Sequence, residues 1–134
     1  MNITKAGIDL GIVARHAESM LHFYRDTLGL EVEATIPMPG GGGTMHRLKA
    51  GTSVIKLVDL DAAPGPAAPP GGIRAATGYR YWTLSVDNIG QVLERCKAAG
   101  APIVVAPKEV RQGVTIAIVE DPDGNWVEFL QLQA

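Results

Sequence analysis

The sequence predicts an α+β fold made of two copies of one module, each a strand, a helix and three further strands. Three observations carry that expectation. An offset of 72 residues maps Asp9 onto Tyr81, His16 onto the helix entry at Asn88, and Lys56 onto Glu128. Like residues then fall in like elements, which is the mark of an internal repeat. The second copy closes on Asp121-Pro122-Asp123-Gly124-Asn125, a tight turn, after which Trp126, Glu128 and Leu130 alternate with Val127 and Phe129 as a strand requires. A chain of 134 residues is one domain, burying roughly 65–70% of its unfolded surface. Two modules sharing that core fit this length better than two independent domains.

Module one spans about 7–59. Ile8 to Ala14 reads as a strand, with Ile8, Leu10 and Ile12 beneath a helix. That helix runs from Ala17 to Leu28, with Met20, Leu21, Tyr24 and Leu28 on one face, and Gly29 stops it. Leu30 to Ile36 is a strand. Thr44 to Lys49 and Ser53 to Asp59 form a hairpin around Ala50-Gly51. Residues 60–78, rich in Ala, Pro and Gly with no apolar period, read as a linker.

Module two spans about 79–132. Tyr79 to Val86 is a strand, Asn88 to Ala99 a helix ended by Gly100, and Pro102 to Val105 a short strand. Val114 to Glu120 and Trp126 to Leu132 make the closing hairpin. Asp87 or Asn88 is placed to cap the second helix, whereas Arg15-His16 caps the first poorly.

Composition excludes several classes. A net charge of −2 with no Lys/Arg run lacks the footprint of a nucleic-acid binder. No apolar run reaches the roughly 20 residues a membrane span needs, and Met-Asn-Ile-Thr-Lys is no signal peptide, so a cytoplasmic location is expected. The single cysteine, Cys96, excludes an internal disulfide and sits in the apolar stripe of the second helix, as a small core hydrophobe. Gly40 to Gly43 is no phosphate loop, since no Lys-Ser/Thr follows. It reads as a plain connector or as a lip over a cavity.

Strand parity picks out the polar candidates. Asp9, Lys56, Tyr81 and Glu128 each oppose apolar neighbours on the same strand and so face away from the helices. With the two sheets curled, the four converge on one cavity. Trp126 shares the face of Glu128 and offers an aromatic wall, while Trp82 belongs to the helix side. His46 and Arg47 are adjacent, so only one faces the same way as Lys56, and the hairpin register needed to choose is not legible. His16 and His22 read as exposed helix residues, Arg74 and Arg80 as surface charges.

The segments Ile8-Asp9-Leu10-Gly11-Ile12-Val13, Phe23-Tyr24-Arg25-Asp26-Thr27-Leu28-Gly29-Leu30, Leu84-Ser85-Val86-Asp87-Asn88-Ile89 and Asp121-Pro122-Asp123-Gly124-Asn125, followed by Glu128, occur in that order. Together with the repeat they resemble the vicinal oxygen chelate superfamily of glyoxalases, bleomycin-type resistance proteins and extradiol dioxygenases. The resemblance implies a single glyoxalase-like domain over 1–134, its two βαβββ modules forming a cup around a ligand, and a homodimer. It also places metal ligands at the inward positions held here by Asp9, Lys56, Tyr81 and Glu128. Only Glu128 matches the usual His, Glu or Gln. Lys56 must deprotonate to bind a metal and Tyr81 is a poor ligand for common divalent ions.

The expectation is therefore an enzyme of lyase or isomerase type on a small organic substrate, with no cofactor and with Lys56, Glu128, Tyr81 and Asp9 as its polar centre. Trp126, Arg47 and His46 are the ligand-binding candidates. Two alternatives stay open: a binding protein that sequesters an aromatic compound, and a metal enzyme holding a divalent ion in a rearranged site at Asp9 and Glu128, with His46 as a further candidate ligand.

Overall fold

The structure is a computed structural model that describes residues 1–133. The chain forms two compact units, the first ending at Ala67 and the second beginning at Ala68. Each carries one four-stranded mixed sheet, and the two sheets have the same topology. The α+β repeat of strand, helix and three strands is present in both units.

In the first unit the strands are β1 (Asp9–Val13), β2 (Glu31–Pro37), β3 (Gly43–Ala50) and β4 (Ser53–Leu60), in spatial order β1-β4-β3-β2. The β1–β4 pair is parallel and the others antiparallel. Ile55 and Leu57 on β4 and Leu48 on β3 are buried, as are Met20, Phe23 and Tyr24 from the helical segment that packs on β4. Phe23 and Tyr24 meet edge to face, centroids 4.9 Å apart. Ile8 departs from its expected core place. It precedes β1 and is exposed.

The first helix is shorter than its apolar period suggests. Only Ala17–Leu21 (α1) is α-helical, and His22–Thr27 continues as a π-helical turn. The amide of Leu28 bonds the carbonyl of Phe23, five residues back. This wider winding buries Phe23 and Thr27 beside Tyr24, whereas Leu21 and Leu28 are half-buried. His16 supplies no side-chain cap, as expected of a poor capping residue.

The second unit repeats the order with β5 (Tyr81–Ser85), α2 (Ile89–Ala98), β6 (Ile103–Arg111), β7 (Val114–Glu120) and β8 (Trp126–Leu132), arranged β5-β8-β7-β6. Ile89, Leu93 and Cys96 on α2 are buried, together with Ala117, Val119, Val127 and Phe129. Burial raises the Cys96 thiol pKa, which keeps it a protonated core group. Neither Asp87 nor Asn88 caps α2. Asn88 occupies the cap position, but its amide bonds Gln91, and Gln131 of β8 accepts from the Ile89 amide at 2.7 Å.

β6 runs to Arg111, well past the expected end at Val105. Its outer half is exposed and carries Pro107, so apolar alternation does not announce it. Pairing with β7 forms it, through three register shifts that suit an edge strand. The linker also holds more order than its composition suggests. Gly72–Arg74 is a 3-10 turn, and Arg80, expected to be a surface charge, is half-buried and donates to the carbonyls of Gly72 at 2.8 Å and Pro69 at 2.6 Å.

Candidate active site

Each sheet has one face covered by its helix, and the polar candidates lie on the opposite face. On the first sheet, register pairs Gly11 with Lys56, Lys56 with Arg47, and Arg47 with Ala34. These four residues form one cross-strand row. The hairpin turns at Gly51-Thr52, one residue beyond the expected Ala50-Gly51, and its register settles the choice left open by the sequence. Arg47 shares the face of Lys56, while His46 pairs with Leu57 on the helix-covered face and bonds the Thr35 hydroxyl at 3.1 Å.

Asp9 lies between two ammonium groups. Lys5 Nζ is 2.6 Å from Oδ1 and Lys56 Nζ is 3.3 Å from Oδ2. The hydrogen bond from Lys5, with the further one from Lys56 and the charge of both, holds the Asp9 carboxyl below its ordinary pKa. Lys56 and Asp9 are each about a third exposed, 32% for both side chains, so this is a half-open ion pair and not a buried one. Arg47 donates through Nε to Glu33 at 3.3 Å. Glu33 reaches it because a β-bulge between Val32 and Ala34 inserts an extra residue in β2.

On the second sheet the equivalent row is Thr83, Glu128, Ile118 and Val105. Thr83 Oγ1 donates to Glu128 Oε1 at 2.7 Å. Sequence reading missed Thr83, although it stands one offset beyond Gly11 and could have been found that way. Tyr81 pairs with Trp126, is 48% exposed and is therefore no core tyrosine. Around them Val114, Ile116 and Ile118 form an apolar cluster joined by Val105, Trp126 and Leu130. The indole Nε1 of Trp126 is buried and has no hydrogen-bond partner among the described residues. The backbone of Gly72 lies against the Trp126 ring, where a Cβ would overlap the indole.

The turn that closes the second module is organised by a side chain the sequence reading passed over. Asp121 is 2% exposed. Its carboxylate accepts from the amides of Asp123 and Asn125 at 3.0 and 2.9 Å and from the Asn125 side chain at 3.0 Å. The turn thus aims Trp126 and Glu128 onto the face of β8 away from the helix.

The donor set fits a divalent metal poorly. Asp9 is occupied by two ammonium groups and Glu128 Oε1 by a hydroxyl. Among the described residues no three His, Cys, Asp or Glu side chains gather to hold a metal ion.

Comparison with known proteins identifies the class. The family profile described as Glyoxalase/Bleomycin resistance protein/Dioxygenase superfamily matches residues 8–129, and the chain belongs to that superfamily. It is 30% identical over 115 residues to a lactoylglutathione lyase of Neisseria meningitidis, covering 85% of this chain and 81% of that protein. A probable lactoylglutathione lyase of Synechocystis is 28% identical over 116 residues, covering 85% and 86%. Among solved structures, a glyoxalase family protein of Bacillus cereus superposes with a TM-score of 0.83 at 16% identity, covering 100% of this chain and 97% of that one. An antibiotic binding protein from a Streptomyces species does so with a TM-score of 0.70 at 24% identity, covering 99% of each. At these identities the structures establish the shared fold.

Proposed function

We propose that the chain is a glyoxalase-like lyase for a small organic substrate, working through Lys56, Glu128, Tyr81 and Asp9 without a resident divalent metal. The observation that carries this reading is Lys56. An ammonium group, held at 3.3 Å by Asp9, stands at a position where the superfamily resemblance places a metal ligand. A fixed cation there supplies positive charge where a substrate oxygen becomes negative. Glu128, with Thr83 on one carboxylate oxygen, takes the proton from the carbon next to a substrate carbonyl and returns it to the neighbouring carbon. The electron pair released passes onto the carbonyl oxygen, which the Tyr81 phenol protonates. As Glu128 delivers the proton to the former carbonyl carbon, the adjacent hydroxyl returns a proton to Tyr81 and becomes the new carbonyl. The hemithioacetal so formed breaks its C–S bond, its hydroxyl proton leaving with the thiol. Trp126 and Arg47 bind the remainder of the substrate.

Support for a lyase comes from the curated relatives, which are named for lactoylglutathione. Incubating the purified protein with lactoylglutathione, a chelator and an aromatic diamine that traps the released dicarbonyl tests the reading. Catalytic loss of the thioester over many turnovers is expected. A compound retained one per chain without conversion would favour a sequestering protein instead. The apolar cluster around Trp126 is the observation that would suit such a role. The reading includes a cytoplasmic homodimer, which sedimentation of the purified chain checks. No helix among the described residues is long and apolar enough to cross a membrane.

A further inference from the structure

We propose that the row Gly11, Lys56, Arg47 and Ala34 is an oxyanion trough, and that Arg47 selects substrates carrying a carboxylate or phosphate group close to the reacting carbonyl. The inference rests on the lyase reading for the role of Lys56 and adds the substrate class. Two cations directly opposite on adjacent strands repel one another, and cross-strand Cβ atoms are only about 5 Å apart. Asp9 and Glu33 offset part of that repulsion, and an anion lying over the row would offset the rest. The side chain of Arg47 is 26% exposed, and its Nε bond to Glu33 is its one hydrogen bond among the described residues. The two outer nitrogens of its fork are left to meet a carboxylate or phosphate two-pronged. Across this face, among the described residues, Lys5, Lys56 and Arg47 pair only with Asp9 and Glu33, leaving one positive charge in excess.

The neighbours in the row leave room for the anion. Gly11 is not required by its backbone, which is ordinary strand, and a Cβ there would meet nothing within 4 Å. Ala34 is the smallest side chain that a strand commonly carries. The second module provides an internal contrast, because its equivalent row has Thr83, Glu128, Ile118 and Val105. There a hydroxyl and two branched apolar groups fill the places that Gly11, Arg47 and Ala34 hold in the first. One row is filled and apolar about a carboxylate; the other is open and cationic.

Binding of pyruvate, its neutral methyl ester and inorganic phosphate, measured by calorimetry on the whole chain, tests the trough. The wild type should hold pyruvate more tightly than the ester. Arg47→Gln should weaken pyruvate about ten- to hundredfold, the worth of a charged hydrogen bond, and leave the ester unchanged. Gly11→Val should weaken pyruvate similarly by filling the trough. Valine suits a strand and meets no neighbour here, so its melting temperature should match the wild type. Phosphate binding that exceeds pyruvate binding and falls with Arg47→Gln assigns the oxyanion to a phosphate group. Equal binding of acid and ester, or full pyruvate affinity in both variants, overturns the trough even if lactoylglutathione is turned over. Conversely, an acid preference lost in Arg47→Gln without any turnover retains the trough and removes the lyase reading.

Discussion

Lys56 Nζ lies 3.3 Å from one carboxylate oxygen of Asp9, and Lys5 holds the other oxygen more closely, at 2.6 Å. The first of these contacts joins two residues that strand parity put on one face, although register pairs Asp9 with Val54 and Lys56 with Gly11; the second comes from the segment that precedes β1. Asp9 therefore answers mainly to Lys5, which leaves the Lys56 ammonium less committed to its partner than a simple ion pair would. A cation so placed keeps N–H donors for a ligand.

Titration of the Asp9 carboxyl by NMR should show a pKa below the ordinary carboxylate range, set first by the Lys5 hydrogen bond. Lys5→Met should raise it more than Lys56→Met does. Because the folded value lies below the unfolded one, Asp9 contributes stability that is present above about pH 4 and is lost as pH falls through the folded value. A larger rise in Lys56→Met would reverse the assignment of the dominant partner.

Asp121→Ala should destabilise the fold by about 2–4 kcal/mol in urea unfolding, since it removes a charged acceptor of two backbone amides in a buried turn. Asp121→Asn keeps one acceptor oxygen and should lose less. Equal stability of the alanine variant would mean that Pro122 and Gly124 shape the turn unaided.

Gly72→Ala should push the Trp126 indole off its seat and shift its emission to the red, read in a Trp82→Phe background so that one indole reports. The added Cβ overlaps the ring, and the positive φ of 65° at Gly72 disfavours any side chain. Unchanged emission would show that the segment between the modules does not hold the indole in solution.

Elemental analysis of the purified protein should find less than a stoichiometric amount of zinc, iron, nickel or manganese. Lys56 and Tyr81 hold two of the four positions where the superfamily resemblance places ligands, and Asp9 is taken up by ammonium groups. One tightly held equivalent, lost in Asp9→Asn and Glu128→Gln, would restore the metal-enzyme alternative.

The repeat and the parity of its strands were legible because both depend on spacing alone. Asp9, Lys56, Tyr81 and Glu128 fall on the faces away from the helices, where alternation put them. Register was not legible. Choosing between Arg47 and His46 required the turn at Gly51-Thr52, and shifting a hairpin by one residue exchanges the two faces. The outer half of β6 carries no apolar pattern because it buries nothing there, so only its partner strand reveals it. The π-helical turn, the Gln131 cap and the Arg80 tie depend on contacts between residues distant in sequence or on backbone winding, which an apolar period does not encode. The Asp121 carboxylate was hidden behind the more familiar Pro and Gly turn signals. Strand Ile8 failed because its position was read from its neighbours, two residues before burial begins.

A double-mutant cycle on Lys56→Met and Glu128→Gln, following lactoylglutathione turnover and thermal stability together, tests the central claim most directly. Lys56 and Asp9 are solvent-screened, so Lys56→Met should move the melting temperature by less than about 4 °C. The same variant should lower kcat/KM about a hundredfold or more, as loss of one fixed charge-stabilising group does. Glu128→Gln should do likewise, and the double variant should be little worse than either, because residues acting on one step are not additive. Lys56→Met and Glu128→Gln variants that keep full turnover per folded molecule would contradict the account.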